Sequence, residues 1–185
     1  DKDTTIIGLS DPVVEVKKDV ALLFEVKNDA TLTVDGVTFM DTNEVEQVEA
    51  GFESVCSYDV ELKRGILIKV VDAEIVLENI NFTGFVNIGA SLINAKNSTV
   101  TIKNCVFDSN AGSSGTLVYA DHSNIIVDYA EVRNNVAVRN ANHGLFQIYF
   151  SSTLTINDCV IEHNSGNGNG TIIGLYSNST LNFNG

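Results

Sequence analysis

The chain has 185 residues, enough for one domain with a continuous core, and it sets 11 Lys and Arg against 24 Asp and Glu for a formal charge of -13. That balance disfavours nucleic acid and anionic membrane surfaces, which select clustered cations. No apolar run approaches the ~20 residues that a membrane-spanning helix needs, and a single Pro with no long helical period points away from helical folds.

In chain order, six segments alternate apolar with Thr, Val or Asn: Thr31–Val34, Glu74–Leu77, Ser98–Ile102, Asn124–Val127, Thr153–Ile156 and Thr180–Phe183. A period of two with many β-branched residues predicts half-buried strands. Their last apolar residues lie 43, 25, 25, 29 and 27 residues apart, the near-constant period of stacked repeats. Ten residues before each stands another apolar residue: Phe24, Leu67, Leu92, Leu117, Phe146 and Ile173. Five residues after the first five stand Phe39, Phe82, Phe107, Val132 and Ile161.

Three short strands per coil predict an all-β, right-handed parallel β-helix of about six rungs, each strand pairing with its equivalent about 4.8 Å away. An antiparallel sandwich would not need the constant ten-residue interval. The first strand's register is open by one residue, because strict alternation from Leu67 would aim Lys69 inward; a bulge or slip is expected there. Residues 1–185 read as a single domain. The chain begins at Asp1 without a signal-peptide pattern, and Asn182–Gly185 stop partway through a rung, so a segment of a longer solenoid is expected, with further coils or another chain on the open C-terminal edge.

The segment from 43 to 64 interrupts this spacing as an acidic insertion. Its Glu44, Glu46, Glu49, Glu53, Asp59 and Glu61 make it the candidate recognition loop, since insertions on one side of a solenoid vary without disturbing the stack. The carboxylates lack an EF-hand spacing. No cofactor is implied by these residues themselves.

Cys105 and Cys159 share one rung position two coils apart, roughly 9–10 Å, too far for a disulfide; Cys56 falls in the insertion. Asn supplies 21 residues, and Asn110, Asn135 and Asn164 share one rung position, which predicts a hydrogen-bonded ladder. His122, His143 and His163 occupy unrelated positions, whereas a zinc site needs convergence. Asp108, Asp128 and Asp158 fall at different phases, whereas a glycoside hydrolase needs carboxylates on one groove. Glycosylation sequons begin at Asn81, Asn97, Asn169 and Asn178; Asn97 and Asn178 precede a second strand at the same turn phase and are the expected acceptors.

Phe107-Asp-Ser-Asn110 resembles the FxxN motif of the polymorphic outer-membrane and adhesin-like β-helix proteins. Val132-Arg-Asn-Asn135 and Ile161-Glu-His-Asn164 are similar without the Phe, and Ser114-Gly-Thr-Leu117 and Asn169-Gly-Thr-Ile172 are similar to the Gly-rich segment that follows it. The resemblance covers about residues 80–185 and implies a secreted surface solenoid used for adhesion, with no catalytic residue carried over. Pectate-lyase-like enzymes share the predicted fold; that resemblance implies Ca²⁺ on clustered carboxylates and a basic proton acceptor, for which Lys103 between Glu78 and Asp128 is the one similar arrangement.

The expectation is a non-enzymatic extracellular or cell-surface module, adhesin-like or structural, that presents loops to a glycan or protein. The alternative is a polysaccharide lyase or glycoside hydrolase.

Overall fold

The computed structural model describes residues 3–17, 20, 22–41, 66–87, 90–112, 115–137, 144–166 and 172–185. These contain strands and turns and no helix. The acidic insertion with Glu44, Glu46, Glu49, Glu53, Asp59 and Glu61, together with Cys56, His143 and Asn169, lies outside the described residues.

The chain winds as a parallel β-solenoid of about five turns, and every strand pairing is parallel, from one coil to the next. One coil shows the plan. Ile93–Lys96 lies in the first sheet, Thr99–Lys103 in the second, Val106–Asp108 in the third and Ala111–Gly112 in a fourth. The described strands stack into sheets of six, seven, six and four strands. Three strands per coil are expected from the sequence; the fourth, two residues long, is too short to show a period. A strand at Thr4–Ile7 also extends the second sheet, placing Ile6 on Val34 ahead of the six expected rungs.

In-register pairing makes each column of the coil a column of like residues. In the second sheet Val34, Leu77, Ile102, Val127 and Ile156 follow one another and are at most 1% exposed. In the third, Phe39, Phe82 and Phe107 stack with ring centroids 5.5 and 5.3 Å apart and planes within 19°. Phe24 and Phe85 close on this stack edge-on, from the first sheet and from the start of the fourth. Such contacts add to the area burial of each ring.

The first sheet corrects the ten-residue interval. Its column reads Phe24, Ile68, Ile93, Val118, Phe146 and Ile173, while Leu67, Leu92, Leu117 and Leu145 form the column one residue earlier, joined by Leu92 N to the Thr116 carbonyl and Leu117 N to the Leu145 carbonyl. The turn from first to second sheet holds two residues in three coils, such as 97–98, three in two, such as 150–152, and four, 176–179, in the last, where the first-sheet strand is one residue shorter. The one-residue change in turn length and the one-residue change of column cancel, and the apolar spacing stays at ten. Leu67 and Ile68 are both buried at the strand entry, so Lys69 faces outward and its Nζ lies 3.1 Å from Glu25 Oε1.

The first three turns repeatedly carry a residue in the left-handed region, and among the described residues of the fourth turn Gly115 lies there too. The first turn has Asp72, Asn97 and His122 there, the second Gly36, Asn79, Asn104, Tyr129 and Asp158, the third Gly84, Ser109, Asn134 and His163. One such residue reverses the chain sharply between paired strands, and Asn, Asp and Gly tolerate it best. Much of the Asn content follows from this repeated demand.

Phe82 is fully buried between two stacked rings. Phe82→Ala is expected to lower the unfolding free energy by about 3–5 kcal/mol, and Thr101→Ala, on the outer face of the second sheet, by less than about 0.5 kcal/mol. Urea unfolding followed by circular dichroism checks both.

Candidate functional site

Polar side chains at several bends are engaged with their counterparts one coil away. In the column after the third sheet, Asn110 and Asn135 are fully buried and Asn164 half-buried. Asn135 Oδ1 accepts from both the backbone N–H and the Nδ2 of Asn110 at 3.0 Å, while its own Nδ2 donates to the Phe107 carbonyl and to Asn164 Oδ1 at 2.9 Å. Asn110 Oδ1 in turn accepts from Phe85 N, and Asn164 Nδ2 donates to the Val132 carbonyl. The amide suits this place because it donates and accepts at once, and the buried backbone N–H groups of the bend would otherwise lack partners.

A second ladder, of serines, runs along the first turn and was not foreseen. Ser98, Ser123, Ser152 and Ser179 occupy one column. Ser98 Oγ donates to the Lys96 carbonyl at 2.6 Å and accepts from Ala73 N; Ser98 N donates to Ser123 Oγ, and Ser123 N to Ser152 Oγ at 2.9 Å. The separations of 25, 29 and 27 residues equal the local coil period, and that period applied to every residue type would have revealed the column.

Aromatic rings gather outside the first sheet. Tyr149 stacks on Tyr176 at 4.4 Å and 10° and lies 5.4 Å from Tyr119; Phe150 approaches Tyr149 at 5.5 Å and stacks on His122 at 5.7 Å. Gly174 allows this, since a Cβ there would come within 2.9 Å of the Tyr176 ring. Burial pushes the Tyr119 and Tyr176 hydroxyls up, helped at Tyr119 by the Asp121 carboxylate.

The outward row ending the second sheet reads Asp35, Glu78, Lys103, Asp128, Asn157 and Asn184. Lys103 Nζ lies 3.0 Å from Glu78 Oε1, and hydrogen bonding to that carboxylate pushes the ammonium up; a lysine held charged is a poor base. Asp128 accepts from Asn157 Nδ2 at 2.6 Å. Asp128 and Asp158 border the same turn on neighbouring coils, while Asp108 lies one turn further on, in the third sheet. Burial pushes the Asp108 carboxyl up, but Asn134, Ser109 and Arg133 together hold it below its usual value. His122 sits on the first turn beside Asp121, and His163 on the third. Among the described residues no group of three His, Cys, Asp or Glu could hold a metal ion.

Of the sequons, Asn81 lies within a third-sheet strand with Nδ2 donating to Thr38 Oγ1 at 3.2 Å. Asn97 and Asn178 are exposed on the first turn in left-handed conformation. Asn97 Nδ2 donates to Asp72 Oδ1 at 3.0 Å.

A concave surface of about 680 Å³ runs along the first turn across five coils. Its floor is Ala73, Ser98 and Ser123. One rim carries Asp29, Asp72, Asn97 and His122, the other Thr31, Glu74, Thr99, Asn124 and Thr153. Both cysteines within the described residues are free. Cys105 is buried with its thiol against the Leu77 and Lys103 carbonyls, and burial pushes it up to about 11.

Comparison of the chain with protein-family models, with curated proteins and with solved structures found no match.

Asn135→Ala orphans the buried Asn110 backbone N–H and is expected to cost about 1–3 kcal/mol, with a smaller loss for Asn164→Ala, read by urea unfolding. The folded Cys105 thiol stays neutral up to about 11 whereas the unfolded thiol ionises near 9. Its contribution is therefore complete below pH 9 and falls as pH rises from 9 to 11. The difference in urea midpoint between the wild type and Cys105→Ala should narrow over that interval.

Proposed function

We propose that the chain is a non-enzymatic, extracellular or cell-surface β-helical module, adhesin-like or structural, that presents loops for glycan or protein binding. The observation that carries this reading is where its polar side chains are engaged. Asn and Ser columns bond along the coil axis, and outward charges pair along or across rows, as in Lys103 with Glu78, Arg133 with Asp108 and Lys69 with Glu25. Groups so engaged hold coils together and are not poised for proton transfer.

Two features add support. The Asn of the FxxN-like segment Phe107–Asn110 begins the third-turn ladder, so the motif-like residue serves the stack. The insertion at 43–64 follows Asp41, the last residue of a third-sheet strand, so it interrupts the chain between strands and leaves the paired columns of the stack intact.

One observation favours the alternative of a polysaccharide lyase or glycoside hydrolase: Asp29, Asp72 and Glu74 face a common groove. Incubation with acidic and neutral polysaccharides, with and without Ca²⁺, separates the two. The module reading expects no new reducing ends and no unsaturated products. Replacing residues 43–62 by a short turn should leave the circular dichroism spectrum intact and remove binding on a glycan array or to purified surface proteins; unchanged binding would overturn the role of that loop.

A further inference from the structure

We infer that the groove along the first turn is a binding site for a linear, neutral oligosaccharide lying parallel to the coil axis. The inference rests on the reading of the chain as a binding module and assigns a site on the stack itself, apart from the 43–64 loop.

Shape comes first. The groove draws on five successive coils, and one rim is a single register row, Thr31, Glu74, Thr99, Asn124 and Thr153. In-register pairing repeats that row about every 4.8 Å, so the site offers hydrogen-bonding groups at a regular interval along a straight line. A chain of pyranose rings presents its hydroxyls in the same manner, whereas a compact ligand would meet one or two positions only.

Chemistry narrows the ligand. Vicinal hydroxyls donate and accept, and the rims supply both functions: carboxylate oxygens on Asp72 and Glu74 accept, the Asn124 amide does both, and the Thr hydroxyls do either. Carboxylates on the groove and a formal charge of -13 repel uronates, sulfates and phosphates.

The floor explains why a groove exists there. Ala73, Ser98 and Ser123 are small, and the serine hydroxyls turn back to Lys96 and Asp121 carbonyls instead of projecting outward. Larger residues in that column would fill it.

The test uses the full chain and isothermal titration with linear hexasaccharides of glucose, xylose, mannose and N-acetylglucosamine, with oligogalacturonate as the acidic probe. At least one neutral hexasaccharide is expected to bind, and Thr99→Val with Asn124→Ala is expected to weaken it at least tenfold. Thr101→Val, on the second sheet outside the groove, should leave Kd within twofold, and equal thermal midpoints of all variants exclude unfolding as the cause. A double variant that binds as tightly as the wild type overturns the groove assignment, and so does preferential binding of oligogalacturonate. If binding persists in that double variant and disappears on replacing residues 43–62, the module reading stands and this site falls. If neither glycans nor surface proteins bind the wild type, both fall.

Discussion

Parallel, in-register hydrogen bonding between successive coils is the constraint on which the structure depends. A strand that must pair with its own equivalent places the same column position at the same point in every coil, so a residue is chosen as much for the neighbour above and below as for its own surroundings. Apolar columns obey this easily, as the Phe39, Phe82 and Phe107 stack shows. Polar columns obey it only where the side chain complements itself, which is why the bends use Asn and Ser, each able to donate and accept along the axis.

The turns inherit the same constraint. The first three bends of a coil carry a left-handed residue and need a partner for the backbone N–H groups that leave the ladder, and Asn97, Asn104 and Asn134 meet the first demand while Asn110 and Asn135 meet the second. Asn therefore has two separate structural duties in this chain. The charged residues of the outward rows follow a weaker rule, since exposed pairs such as Lys103 with Glu78 contribute little to stability. Surface chemistry is free to vary where the core columns are not.

The column anchors at Val34, Leu77, Ile102, Val127 and Ile156 were legible in the sequence because strand alternation and coil period coincide there. The Asn110, Asn135 and Asn164 column was legible for the same reason. The first sheet was not, because a slip from the Leu67 column to the Ile68 column and a change in turn length cancel in the spacing. The serine ladder and the Tyr149 and Tyr176 stack follow the coil period but are not legible from alternation, because small or outward residues contribute no apolar period.

The sequence by itself determined the winding: a near-constant period of like residues can be satisfied by stacking and by little else, since each coil buries its apolar face against the next. The tertiary structure alone decided which residues share a groove. Asp72, Asn97, His122 and Thr153 belong to different coils and carry no common motif. They meet only because the first turn bends the chain between two sheets, and the depth of the hollow there depends on small residues whose hydroxyls turn back to backbone carbonyls.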